Sequence, residues 1–417
     1  IHAGRLFSTE FSVPLCGLKS DQMKQLVWPL LACLLLSGCK GGAKMEKTAL
    51  NDTTFHTIQF VPKAEDMKQQ MPVSRIATRV EYIPLETSDS VLIGDIEKLV
   101  VWKDRFYFYD RKGEAIFCFG TDGRFLHRIG RQGEGPKEYT FCNTFDIDPA
   151  NGDIYINDSW ARRVCVYTAD GQFKTRYEVP FSFNCLARQG KHIHYYTGRA
   201  TNSRFQQATY PTEYRLATTE DGKEWNRQLP FTFDPSYMEV PMSASNFSFY
   251  GDTLLLTEGL SGEVFTVCPD GNVQPRYRIE FPENAYNSSF REPLDLEARK
   301  NARLAGKRTD LFGMVYETDR YVLFNHSQQA IGLACLDKQT QKVENLGYMP
   351  MDDYNNIRLS PTMDYVDGKH IYQIEGVGIL LNPYYKPTSA ELKEKASRLN
   401  PDDNPVIVKI TLKGKQD

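Results

Sequence analysis

Several quick routes to an assignment are missing from this sequence. Its nine cysteines include no C-x-x-C pair, so zinc knuckles and thioredoxin-like redox chemistry are unsupported. Gly-x-Ser-x-Gly, His-Glu-x-x-His and phosphate-loop signatures are absent as well. Neither sign of charge dominates: 50 Lys and Arg stand against 53 Asp and Glu, a net charge of −3. No nucleic-acid partner is therefore expected, since that would call for a strongly basic face. The apolar run Leu26–Leu36 is too short to span a bilayer as a mature helix. What the chain does have is 41% apolar residues, 23 Tyr and 24 Phe, with 29 Gly and 22 Pro. That composition excludes disorder and leans towards many short strands joined by turns. Its 417 residues allow two or three ordinary domains or one large repeat fold.

The first methionine is Met23, and residues 1–22 read as upstream sequence outside the native protein. Residues 23–38 have the form of a secretory signal: Lys24, then the apolar run, then Ser37-Gly38 before Cys39. Leu36-Ser37-Gly38-Cys39 resembles the bacterial lipobox, in which the cysteine is lipidated and becomes the first residue. The expectation is a protein held to the membrane by lipid on Cys39, in the cell envelope and at the outer membrane. The membrane face stays open between periplasm and exterior. Residues 39–72 read as a polar tether and 73–417 as the folded domain. Cys118, Cys142, Cys165, Cys185, Cys268 and Cys335 lie mostly in apolar runs, where cysteine acts as a small hydrophobe.

Asp-Gly pairs at 122–123, 170–171, 221–222 and 270–271 recur about every fifty residues, a repeat length of propeller blades. Each follows a strand-like run such as Ile116–Phe119 or Val164–Tyr167, and Asp-Gly between such runs signals a hairpin with positive φ in its turn. Upstream of each lies a second run that ends in a polar residue. Those ends are Asp110, Asp158, Thr197 and Glu258, and two later units repeat the strand pattern with ends at His326 and Glu375, which predicts six units. The expected fold class is all-β, a six-bladed β-propeller. Two short helical insertions, at 293–304 and 388–396, lack strand chemistry. A capping-box pattern opens the second. The run Val80–Leu85 is expected to complete the last blade beside Val406–Leu412, closing the ring and removing exposed edges.

Three segments carry a family resemblance. They are Val80–Thr87 with its Ile83-Pro84-Leu85-Glu86-Thr87, the stretch Phe125–Tyr139 with Gly130-Arg131-Gln132-Gly133-Glu134-Gly135-Pro136, and Asp403-Asn404-Pro405-Val406. Through them the chain resembles the six-bladed β-propeller lipoproteins of Gram-negative envelopes, which are related to NHL-repeat propellers. Lys137 stands where that family often has glycine. The resemblance implies a fold and a location, and no established reaction.

Candidate sites follow from the repeat. Residues 130–135 cannot cradle a dinucleotide, because Pro136 and a further strand follow where a helix N-terminus is needed. They read as a crossing between blades, with Arg131 and Glu138 as an ion pair bracing the first two. Asp110, Asp158, Glu258, His326 and Glu375 share one position per blade, near Arg131 and Arg162, and together would form a ligand-binding ring at the channel mouth. Such a ring suits Ca²⁺, another divalent ion or a cationic ligand. The preferred reading is solvated turn chemistry without a cofactor. His192 and His194 share a strand face but make only two ligands, short of a zinc site. The function expected is ligand binding or scaffolding, with an envelope protein, peptide or glycan as partner. The alternative is a metal-dependent lyase or hydrolase acting at the same mouth.

Overall fold

The computed structural model describes residues 55–63, 65, 69–198, 214–230, 245–258, 261–282, 305, 309–385 and 387–416. The signal sequence, Cys39 and the helix expected at 293–304 lie outside the described residues. The architecture is an all-β propeller with two short described α-helices and a 3-10 turn at Val73–Arg75.

Most sheets are antiparallel meanders of four strands, consecutive in the chain. Two strands come early, β1 (His56–Gln59) and β2 (Met71–Pro72), followed by β3 (Ala77–Pro84). The first meander comprises β4 (Ile96–Trp102), β5 (Arg105–Asp110), β6 (Ala115–Gly120) and β7 (Phe125–Ile129). The second comprises β8 (Thr144–Ile147), β9 (Ile154–Asp158), β10 (Arg163–Tyr167) and β11 (Phe173–Glu178). The third has β12 (Cys185–Gln189), β13 (His192–Tyr196), β14 (Tyr214–Thr219) and β15 (Asn226–Pro230). The fourth has β16 (Phe247–Tyr250), β17 (Thr253–Glu258), β18 (Glu263–Val267) and β19 (Val273–Glu280). The fifth has β20 (Asp310–Glu317), β21 (Tyr321–Ser327), β22 (Ile331–Asp337) and β23 (Lys342–Gly347). Next in the chain come β24 (Pro350–Asp352) and β25 (Ile357–Arg358), then β26 (Tyr365–Val366), β27 (His370–Glu375) and β28 (Val406–Leu412). The expected hairpins form: Gly123, Gly171, Gly222 and Gly271 all hold positive φ between third and fourth strands. Gly123 is also packed closely, since a Cβ there would lie 2.2 Å from the Pro84 carbonyl oxygen.

The six-bladed count is corrected to seven sheets. The additional one is three-stranded, in the order β2-β24-β25. Ile357 of this sheet shares a core with Leu333 and Cys335 of the fifth meander and with Val406 and Val408 of β28. Its strands are two or three residues long. Nothing that short shows a period in sequence, so the repeat passed over it.

Cores lie between sheets, and alternate side chains of one strand feed different cores. Phe106 and Phe108 of β5 pack with Tyr372 and Ile407 on one side. Tyr107 and Tyr109 pack with Ile154 and Ile156 on the other. Two buried faces explain why these strands read as continuous apolar runs rather than as alternating ones. The described cysteines are all free thiols, and all but Cys268 are buried.

β3 joins the last meander at its far edge, antiparallel to β28, with Val406 opposite Pro84 and Ile410 opposite Val80. Beside this pairing Asn404 donates to the Glu86 and Val91 carbonyls at 2.7 and 2.8 Å and accepts the Ile93 N–H at 2.8 Å. Two of the segments that carry the family resemblance are thus bonded to each other. Of the helices, α1 (Gly378–Leu381) is one turn, and α2 (Ala390–Ser397) replaces the expected 388–396. Its N-cap is Ser389, which accepts the Leu392 N–H, whereas Thr388 donates to the Tyr354 carbonyl.

Residues 55–60 depart from the tether expected over 39–72. β1 pairs in parallel with β19 and adds a fifth strand to the fourth meander. Phe60 is buried, with ring centroids 5.7 Å from Phe324 and 4.8 Å from His326. Phe60→Ala should therefore cost about 3 kcal/mol, within the usual range for a buried phenylalanine. Urea denaturation measures it, and a loss under about 0.5 kcal/mol would return the segment to a tether.

Candidate functional site: the central channel

The first strands of successive meanders adjoin one another: β4 with β8, β8 with β12, β12 with β16, β16 with β20, and β26 with β4. Between them lies a cavity of about 330 Å³, lined from β4, β8, β16, β20 and the start of β26. Two of these strands are bulged where they line it. On β20 the register jumps between Phe312 and Val315, leaving Gly313 and Met314 unpaired, with Gly313 at φ 71°. On β4 it jumps between Ile96 and Lys98, around Glu97. Bulges give up ladder pairing to re-aim side chains, and they concentrate beside functional sites.

The charges around the cavity are mostly compensated. Lys98 Nζ donates to the Phe145 carbonyl at 2.5 Å and to Asp146 Oδ2 at 3.1 Å. Glu97 pairs with Arg111 at 3.2 Å. Asp364 differs. Its Oδ2 accepts the Ile374 N–H at 2.6 Å, while Oδ1 has no hydrogen-bond partner among the described residues. Burial pushes this carboxyl up to about 6, against the opposing pull of that N–H. Tyr316 and Tyr365 also line the cavity, and among the described residues neither phenol has a hydrogen-bond partner. Burial, then the Asp364 charge, keeps the Tyr316 phenol protonated; burial and nearby carboxylates do the same for Tyr365. The remainder of the lining is largely apolar, including Trp102, Phe249, Met314 and Met363.

None of the seven rim residues singled out in the sequence lines this cavity. Asp110 is buried and accepts the Gly94 and Asp95 N–H groups at 3.0 and 2.7 Å. Asp158 likewise accepts from Thr140 and Phe141, at 2.9 and 3.1 Å, and pairs with Arg163 at 2.8 Å. Glu375 accepts the Ser360 N–H at 3.2 Å. The shared position is therefore a staple: each carboxylate ties down the loop that enters its own sheet. Glu258 instead pairs with Arg215 of the third meander, and His326 is buried against the Phe60 and Tyr348 rings. Arg162 takes a left-handed turn, φ 49°, and its carbonyl accepts the Val179 N–H. Arg131 is 84% exposed and lines a separate, open hollow with Arg128 and Tyr139. Its 3.9 Å pair with Glu138 lies within one crossing loop, so it does not brace two sheets.

Among the described residues, no three of His, Cys, Asp and Glu gather as a metal would need. His194 is fully buried, with Nδ1 2.8 Å from Thr218 Oγ1, and burial pushes its pKa down to about 3.

The state of Asp364 can be read from stability. Its folded pKa lies above the unfolded value near 3.8, so ionising it opposes folding. The penalty is absent below about pH 4 and complete above about pH 6. Asp364→Asn keeps an acceptor for Ile374 and removes the charge. The variant should be more stable than wild type at pH 7.5, by up to about 3 kcal/mol, and equal to it at pH 4. Equal denaturation midpoints at both pH values would show that Asp364 is well solvated.

Comparison with known proteins agrees with the architecture. No curated protein matches the sequence. Among solved structures the chain is similar to a Bacteroides fragilis protein whose name assigns it to export. That pair shares 17% identity with a TM-score of 0.65, over 86% of this chain and 100% of the other. It is also similar to a member of the DUF4221 family from Bacteroides vulgatus, at 10% identity and TM-score 0.47, over 81% of this chain and 97% of the other. At these identities the first likeness is one of fold, and the second carries no further argument. The propeller coincides with a family model described as Domain of unknown function (DUF4934), which matches residues 55–411, and the chain belongs to that family.

Proposed function

We propose that this protein is an exported, lipid-anchored β-propeller of the cell envelope that binds a small molecule in its central channel. The binding part rests on one observation. A cavity of about 330 Å³ is lined by a carboxylate and two phenols, and among the described residues nothing satisfies one carboxylate oxygen or either phenol. Polar groups that lack protein partners and line one cavity together with apolar side chains mark a ligand site. The volume suits roughly ten waters, or a ligand of about a dozen non-hydrogen atoms. This reading moves the ligand from the rim to the channel.

Export and anchoring rest on the signal-like Met23–Gly38, on Cys39, and on the name of the Bacteroides fragilis relative. No helix among the described residues is long and apolar enough to cross a membrane. Attachment at the outer membrane would then be the work of lipid on Cys39. Cys39→Ala should leave an unlipidated form that no longer fractionates with membranes. Retention of the wild-type mass and membrane partition would sink the anchor.

For the channel, thermal unfolding is followed against a panel of amines, carboxylates and neutral polyols. At least one class should raise the wild-type midpoint, since a ligand stabilises the state it binds. Thr362→Trp, which fills the cavity from its lining, should unfold normally alone and lose that response. An unresponsive wild type, or an unchanged response in the variant, would remove the channel as the site.

A further inference from the structure

We infer that the channel ligand is an organic cation, a primary ammonium on a compact apolar or aromatic body, held by Asp364 with Tyr316 and Tyr365. This rests on the channel reading above and adds the chemical class. The argument begins with charge. Among the described residues lining the cavity, Lys98 is engaged by Asp146 and Glu97 by Arg111. Asp364 is left as the carboxylate with neither an ion pair nor a partner for Oδ1. A neutral ligand would leave that charge uncompensated in a poorly solvated place, and an anion would add to it.

Donor number gives the head group. An ammonium carries three N–H donors and no acceptor. Three oxygens of the cavity's lining residues have no hydrogen-bond partner among the described residues: Asp364 Oδ1 and the phenol oxygens of Tyr316 and Tyr365. All three residues line the same cavity, Asp364 and Tyr365 as neighbours in the chain and Tyr316 from β20. Both phenols stay protonated, so they accept through lone pairs and add no competing charge. The rest of the ligand follows from Trp102, Phe249, Met314 and Met363, which present aromatic faces and soft apolar surface. The bulge at Gly313 and Met314 brings part of that surface into the cavity lining.

Other groups around Asp364 do not supply a rival cation. They are Tyr316 on β20, Tyr365 on β26, Glu375 on β27, the engaged Lys98 and Glu97 on β4, and Asp146 on β8. Burial raises the Glu375 carboxyl too, and Asp364 adds to the effect, so the pocket becomes more anionic as pH rises.

Isothermal titration with 2-phenylethylammonium tests this, with 2-phenylethanol as the neutral probe of the same shape. The cation should bind saturably at pH 7.5, and the alcohol at least about tenfold more weakly, as expected for loss of a charged hydrogen bond. Asp364→Asn should abolish the preference. Below about pH 6 the affinity of wild type should fall roughly tenfold per pH unit, as Asp364 takes up its proton. Tyr316→Phe should weaken the cation and leave the alcohol unchanged. Because Asp364→Asn is expected to fold with added stability, its loss of binding would not reflect unfolding. Equal binding of both probes, or an undiminished preference in Asp364→Asn, overturns the cation while leaving the channel as the site. No saturable binding of the cation to wild type overturns the inference, and the Thr362→Trp comparison then decides separately whether the channel binds anything.

Discussion

The structure depends on a join between distant parts of its sequence. β3 lies along β28, and Asn404 ties the loop after β3 to the segment before β28 through two carbonyls and an N–H. The core is divided among interfaces between sheets, so each sheet holds up two neighbours. Losing β3 would bare one edge of β28 and loosen Val80 and Tyr82 from the core they share with Tyr321 and Leu323 of the fifth meander. A join spanning most of the chain also makes folding wait on a contact of high sequence separation, the slow kind of contact for a β protein.

The channel follows from the same geometry and departs from it where chemistry is needed. Strands around an axis would normally spend their polar groups on ladder pairing. The bulges on β4 and β20 give up part of that regularity, and residues of both bulges line the cavity. Asp364 shows the same departure in charge: rim carboxylates such as Asp110 and Asp158 are occupied by several donors, whereas it has one. Groups left unsatisfied inside a well-paired framework are where binding energy can be drawn.

Much of this fold was legible in the sequence because its signals are local. An Asp-Gly pair fixes a turn by backbone conformation alone, and strands such as Phe106–Tyr109 announce themselves by length and composition. The seventh sheet was hidden because its strands are too short for any period. β1 was hidden because only Ile58 within it is buried, so four residues read as polar linker. Asp110, Asp158 and Glu375 end equivalent strands and each holds the loop entering its own sheet, so the repeated position the sequence shows there is that of a structural staple. Asp364 repeats nowhere and is distinguished only by the partner its second oxygen lacks. That property belongs to packing, and sequence spacing does not encode it.

The six described cysteines bear on how the molecule behaves once it opens. Burial pushes the Cys118 and Cys185 thiols up to about 11 and Cys142 well above its ordinary value, so in the folded protein scarcely any thiolate is present to react. An unfolded chain would regain ordinary thiol reactivity at all of these positions together. In an oxidising compartment such a chain would be captured by disulfides that the native packing never forms. In such a compartment the durability of the fold would be set by how seldom it opens, a rate rather than an equilibrium.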